Sequence, residues 1–148
     1  MNTGWIIPFI ILGGALQSCG AAMNGQLYKS LVNPWLASAV SFAVITFFFT
    51  AAFLILPHPL PTGKEIASMP WWAALGGLVG ALQVYAGLTL VNKIGAGPFV
   101  GFTVTAALIS SLVIDHFGWF RMEQHPLSLP RALGGLLMVG GITLIAKF

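Results

Sequence analysis

Charge is what this sequence has least of. Six Lys and Arg and three Asp and Glu make up 6% of its 148 residues, where a soluble domain carries about 25%. So few charged side chains cannot coat a water-soluble fold of this length, and a soluble globular domain is excluded on that ground. The basic residues form no run, which removes nucleic acid as a partner. Cys19 is the single cysteine, so an intramolecular disulfide and a cysteine-rich metal site are excluded. In its apolar surroundings the thiol reads as a small buried hydrophobe. Leu16-Gln17-Ser18-Cys19 faintly resembles a lipoprotein cleavage box. It lacks the preceding basic region, and the apolar stretch runs on past it, so no cleavage is expected there. No nucleophile–base pair, metal-ligand cluster or phosphate-binding glycine loop is present. The expectation is therefore a protein that is not an enzyme and needs no cofactor or metal.

What is present is hydrophobicity, 57% of the chain, gathered into five runs of about 20 residues. The runs cover residues 5–28, 34–56, 70–91, 98–117 and 130–146. Each is long enough to cross ~30 Å of hydrocarbon as an α-helix. None shows the period-2 alternation of a membrane β-barrel, whose strands need only ~10 residues. Helices also satisfy their own backbone hydrogen bonds, which hydrocarbon demands. Pro34, Pro70, Pro98 and Pro130 open four of the runs, where a missing N–H is harmless. Pro57, Pro59 and Pro61 close the second. Residues 57–69 and 118–129 read as loops, and residues 92–97 as a short turn. Trp5, Trp35, Trp71, Trp72 and Trp119 all fall near run ends, the depth that indoles favour. The fold class is thus all-α, a single polytopic membrane domain over residues 1–148 with the lipid bilayer as its solvent.

Five crossings place Lys64, Arg121 and Arg131 on one face and Lys29, Lys93 and Lys147 on the other. Orientation follows the Lys and Arg bias of the loops, and here the two faces are equal. Two copies inserted in opposite senses could then pair about an axis in the membrane plane, reproducing the inverted repeats of single-chain transporters. The competing reading is one fixed orientation set by another cue.

Within the runs, Gln17, Gly20, Ala21, Asn24 and Tyr28 share one helical face, and Gly76, Gly80, Gln83 and Gly87 share another. Thr103, Ala107 and Ser110 share a third. Unpaired amides are costly in hydrocarbon, so these faces should point inward. Gln17, Asn24 and Gln83 then act either as glue between helices or as the lining of a solute cavity, for which Tyr28 is a lining candidate too. The hydroxyls of Thr103 and Ser110 are expected to bond back to their own helix. Small residues recur at Gly14, Ser18 and Ala22, at Gly76, Gly80 and Gly87, and at Gly134 and Gly141. Such spacing suits close helix packing, within one subunit or between two. No ionisable residue lies near the middle of a run, so an intramembrane proton carrier is not evident. Asp115 and His116, at the end of the fourth run, read either as an interfacial anchor with a partner such as Arg121 or as a gate or coupling element.

Taken together, several stretches resemble the DUF606, or YdcZ-like, branch of the drug/metabolite transporter superfamily. The residues are Asn24 among small neighbours, Pro34 through Ser41-Phe42, Pro70-Trp71-Trp72 with Gly76-Gly77 and Gly80-Ala81, and Ser111-Leu112-Val113-Ile114-Asp115-His116-Phe117-Gly118 followed by Arg131 and Gly134. The resemblance covers nearly the whole chain. It implies a five-helix subunit that is half of a ten-helix transporter of the cytoplasmic membrane. Relatives are implied to occur as dual-topology homodimers, opposed gene pairs or fused duplicates; the resemblance does not supply their substrates, and for this chain the expected partner is a small molecule or ion. Where many relatives carry a Gly-Gln pair early in the fourth run, this chain has Thr105-Ala106 or a nearby pair; if that Gln contacts solute in relatives, a different substrate is expected here. The segment-one glutamate of the four-helix multidrug exporters is absent, and with it their cation–proton antiport. A passive channel of dual topology is the alternative function.

Overall fold

A chain surrounded by hydrocarbon has to bond its backbone internally, and this one does so almost entirely as helix. The computed structural model describes residues 3–148. A 3-10 turn at Thr3–Trp5 leads into α1 (Ile6–Leu31), followed by α2 (Pro34–Ile55), α3 (Gly63–Ser68), α4 (Gly76–Ile94), α5 (Ala96–Phe117) and α6 (Leu129–Lys147). Five of these helices are long and apolar enough to cross a membrane, α4 doing so together with the 3-10 turn Ala73–Leu75 before it. At 1.5 Å per residue α1 reaches about 39 Å and α6 about 28 Å, against ~30 Å of hydrocarbon.

The helix ends follow from particular residues. Only Val32 and Asn33 separate α1 from α2. Asn33 caps α2, its Oδ1 accepting from the backbone N–H of Trp35 at 2.9 Å and of Leu36 at 3.2 Å. Pro34 occupies the first helical position, preset for it. Val32 makes the reversal with φ +62, a costly conformation for a β-branched side chain. Between α4 and α5 the expected six-residue turn contracts to Gly95 alone, at φ +90. Asn92, Lys93 and Ile94 stay helical, and Ala96 and Gly97 already belong to α5.

The segment 57–69, expected to be loop, contains α3. Thr62 and Glu65 build a reciprocal capping box: Thr62 N–H donates to Glu65 Oε2 at 2.7 Å, and Glu65 N–H to Thr62 Oγ1 at 3.4 Å. The backbone and hydroxyl donors of Thr62 hold the Glu65 carboxyl below its ordinary pKa. The third crossing becomes helical at Ala73 rather than Pro70, residues 71–72 being a turn.

The helices form two compact units, one of residues 3–18 with Ile94–Phe148, the other Cys19–Lys93. In the second, Ala37 and Leu88 are completely buried and Val91 nearly so. There the Trp35 ring lies 4.8 Å from that of Tyr85, bringing α2 against α4. In the first, α5 packs along α6. A Cβ at Gly101 would overlap the Ile142 side chain, and one at Gly135 would touch Leu112 Cδ1 at 3.5 Å. Elsewhere the apolar side chains point outward. Phe47, Leu54 and Ile55 of α2 are 76–78% exposed, an arrangement that water disfavours and a lipid solvent accommodates. Cys19 is exposed as well, not the buried thiol expected. Of the small residues singled out for packing, Gly14, Gly76, Gly80, Gly134 and Gly141 have open space where a Cβ would stand. Gly87 is buried, Ser18 is half-buried and Ala22 exposed.

Candidate functional site

Two groups of polar side chains stand out, one in each unit. In the Cys19–Lys93 unit the group is built from neutral amides. Asn24 of α1 accepts at Oδ1 a hydrogen bond from Ser41 Oγ of α2, 3.1 Å away. One residue on, the Gly25 carbonyl accepts from Asn92 Nδ2 of α4 at 2.7 Å. Gly25 is buried, and a Cβ there would overlap Val91 Cγ1 and stand 3.2 Å from Asn92 Nδ2. The missing side chain is what lets α4 come close enough for the amide to reach α1 backbone. A helical carbonyl keeps a second lone pair, so this bond need not cost the α-helical one. Asn24 is thus tied to a partner, half-buried as its face predicts. Asn92 and Gly25 carry as much of the contact, yet Asn92 had read as a turn residue. The available signal was a lone amide one turn inside a helix end, matched to a glycine beside Asn24.

Gln17 and Gln83 are arranged differently. Both are exposed, and neither has a hydrogen-bond partner among the described residues. Each stands about one-third to halfway along its helix. Tyr28 is half-buried. Thr103 Oγ1 bonds to Phe99 O at 2.6 Å, back to its own helix as anticipated.

The second group lies in the other unit, where α5 ends. The last carbonyls of a helix have no partner within it. Here they find donors in the loop that follows. Gly118, left-handed at φ +63, donates its N–H to Ile114 O, a position where any Cβ would be strained. The Asp115 carbonyl accepts from His125 N–H at 2.8 Å, and the His116 carbonyl from Gln124 Nε2 at 2.8 Å. The side chains of the same two residues are engaged too. Asp115 Oδ2 pairs with Arg131 of α6 at 2.6 Å, and Arg131 also donates to His125 O at 2.9 Å. His116 Nδ1 accepts from Leu127 N–H at 3.0 Å. The expected partner of Asp115, Arg121, is replaced by Arg131. Arg121 sits in a tight turn at φ +63, whereas α6 returns antiparallel and brings its first turn to the carboxylate. Beneath the loop, between α5 and α6, is an almost wholly apolar groove of about 490 Å³, lined among others by Leu112, His116, Phe117, Leu127 and Leu136. Among the described residues no cluster of His, Cys, Asp or Glu could hold a metal.

Five apolar helices with polar groups tied between helices, and apolar side chains turned outward, define a multi-pass membrane protein. More particularly, the chain matches over residues 5–144 the model of a family described as "Putative inner membrane exporter, YdcZ", and it belongs to that family. It is similar to the Inner membrane protein YdcZ of Escherichia coli (strain K12), with 29% identity over 85 residues, 57% of this chain and 56% of that protein. The matched stretch thus spans little more than half of that relative's length. No solved structure matches. Its place is the inner membrane.

Proposed function

We propose that the chain is one half of a solute carrier, completed by a second copy inserted in the opposite sense. The observation that carries this reading is the pair Gln17 and Gln83. Both are exposed on the subunit, within helices that cross the membrane, and neither has a hydrogen-bond partner among the described residues. An amide facing hydrocarbon is expensive. A second protein surface or a solute cavity removes that cost, and lipid does not. The open glycine faces at Gly76, Gly80, Gly134 and Gly141 suit close approach of another helix. The equal distribution of Lys and Arg over the two faces leaves both orientations accessible. The family description, an inner membrane exporter, fits a carrier of small solutes. In this reading Gln17, Asn24, Tyr28 and Gln83 are the solute-lining candidates, and Asp115 and His116 the gate or coupling candidates.

Two measurements test it. Reporters fused to the C-terminus, one active only in the cytoplasm and one only outside it, should both give strong signal; signal from one alone overturns the opposed pair. Proteoliposomes screened against radiolabelled small solutes should show saturable flux at about 1–10³ events per second. Gln17→Leu or Gln83→Leu should abolish that flux while leaving the subunit folded. Flux that never saturates and runs far faster would replace the carrier with a pore.

A further inference from the structure

The loop between α5 and α6 contains two histidines whose surroundings impose opposite demands on their protons. His125 Nδ1 stands 3.1 Å from the Glu123 carbonyl oxygen. A carbonyl only accepts, so this nitrogen must carry a proton, and a fully protonated ring satisfies the contact equally well. His116 Nδ1 instead faces the Leu127 N–H at 3.0 Å. A backbone N–H only donates, so this nitrogen must be bare, and the ring must be neutral with its proton on Nε2. Protonating His116 sets one N–H against another and breaks the contact. The remaining bonds that hold the loop involve backbone carbonyls, the Gln124 amide and the Asp115–Arg131 pair. None of them needs a particular state of the His116 ring.

We propose that His116 is a proton-sensitive latch, closed when neutral, that holds Leu127 over the apolar groove between α5 and α6. The charged and titratable groups near it are few. On its own helix there is Asp115, whose carboxylate is committed to Arg131. From α6 comes the Arg131 guanidinium, shared between Asp115 Oδ2 and His125 O. The loop that follows carries Arg121, Glu123 and His125. The ring otherwise meets Phe117, whose centroid is 4.7 Å away, and the apolar groove. Leu127 supplies both the latching N–H and part of the groove wall. Loss of that one bond therefore frees Leu127, a wall of the groove, while the bonds of Gln124, His125 and Arg131 keep the rest of the loop in place. The latch does not depend on the chain being a carrier, because protection of the Leu127 amide reads it without any transport.

The test is hydrogen exchange of the Leu127 amide in the full chain in lipid nanodiscs, corrected for intrinsic rates, between about pH 8 and pH 5. Protection in the unmodified protein should fall about tenfold across that range, the equivalent of one lost hydrogen bond. His116→Asn keeps an acceptor where Nδ1 stood and does not titrate, so its protection should stay level. His125→Asn should still show the fall. Protection that is flat with pH in the unmodified protein, or an undiminished fall in His116→Asn, overturns the latch. Nitrogen NMR of the His116 ring gives a readout independent of any variant. A bare Nδ1 at pH 8 is expected, and a proton found there refutes the proposal.

Discussion

The two units solve the same problem, how to keep polar groups inside a membrane protein, with different chemistry. The Cys19–Lys93 unit uses neutral groups: an amide to a hydroxyl, an amide to a carbonyl, and a glycine that lets the helices approach. The Ile94–Phe148 part of the other unit uses an ion pair, an imidazole and the ends of a helix. The neutral contacts join helix to helix within spans. The charged ones lie where α5 ends and the chain turns into a loop, so at least one side remains near water. The desolvation of an ion is far more costly than that of an amide, which explains the division. Asp115 and Arg131 keep 27% and 34% of their side chains exposed.

That contrast can be broken experimentally. The largest effect is expected at Gly25. Gly25→Val overlaps Val91 and displaces Asn92, and should destabilise the subunit by about 2–3 kcal/mol in denaturation from detergent micelles. Gly13→Val, placed where space is open, should stay within about 0.5 kcal/mol; equal losses at both sites would erase the distinction between filled and open glycines. Next comes the ion pair. Asp115→Asn and Arg131→Gln should each cost about 1 kcal/mol, discounted for partial exposure. A double-mutant cycle should return a coupling of similar size, and no coupling would show the charges act separately. Ser41→Ala, which removes the donor to Asn24, should cost about 0.6 kcal/mol, typical of such bonds in membranes. A loss as large as that at Gly25 would make the neutral bond, not the close approach, the main contact. The smallest effect is at Glu65. Its carboxyl is held below its ordinary pKa in the folded chain. The cap is therefore complete at neutral pH, above the ordinary carboxylate range, and is lost as pH falls through the lowered value. Amide exchange of residues 63–68, corrected for intrinsic rates, should rise on acidification, and Glu65→Ala, which removes the acceptor of the Thr62 N–H, should show the raised rate at every pH.

Most of the architecture could be read before any coordinates. The five spans are visible because hydrocarbon imposes a length and forbids charge, two constraints that act on every residue of a run. Helix α3 was equally legible through Thr62 and Glu65, three apart, but three prolines nearby made the whole segment look like loop. The contacts were harder. Small residues at helical spacing occur on several faces of these helices, and sequence does not say how each helix is rotated. Gly25 and Gly101, which meet neighbours, look no different from Gly14 or Gly80, which do not. The partner of Asp115 was missed for a related reason. Arg121 is nearer along the chain, but the returning helix, not chain distance, decides which cation arrives.

The two-residue joint at Val32 and Asn33 has a consequence for how the protein is oriented. Asn33 caps α2 and Pro34 begins it at once, so no long tether separates the two helices. In the folded chain α1 and α2 are therefore one hairpin, the orientation of either fixing that of the other. Whichever way the pair enters commits both helices together, and a lengthened joint would be the direct means of uncoupling them.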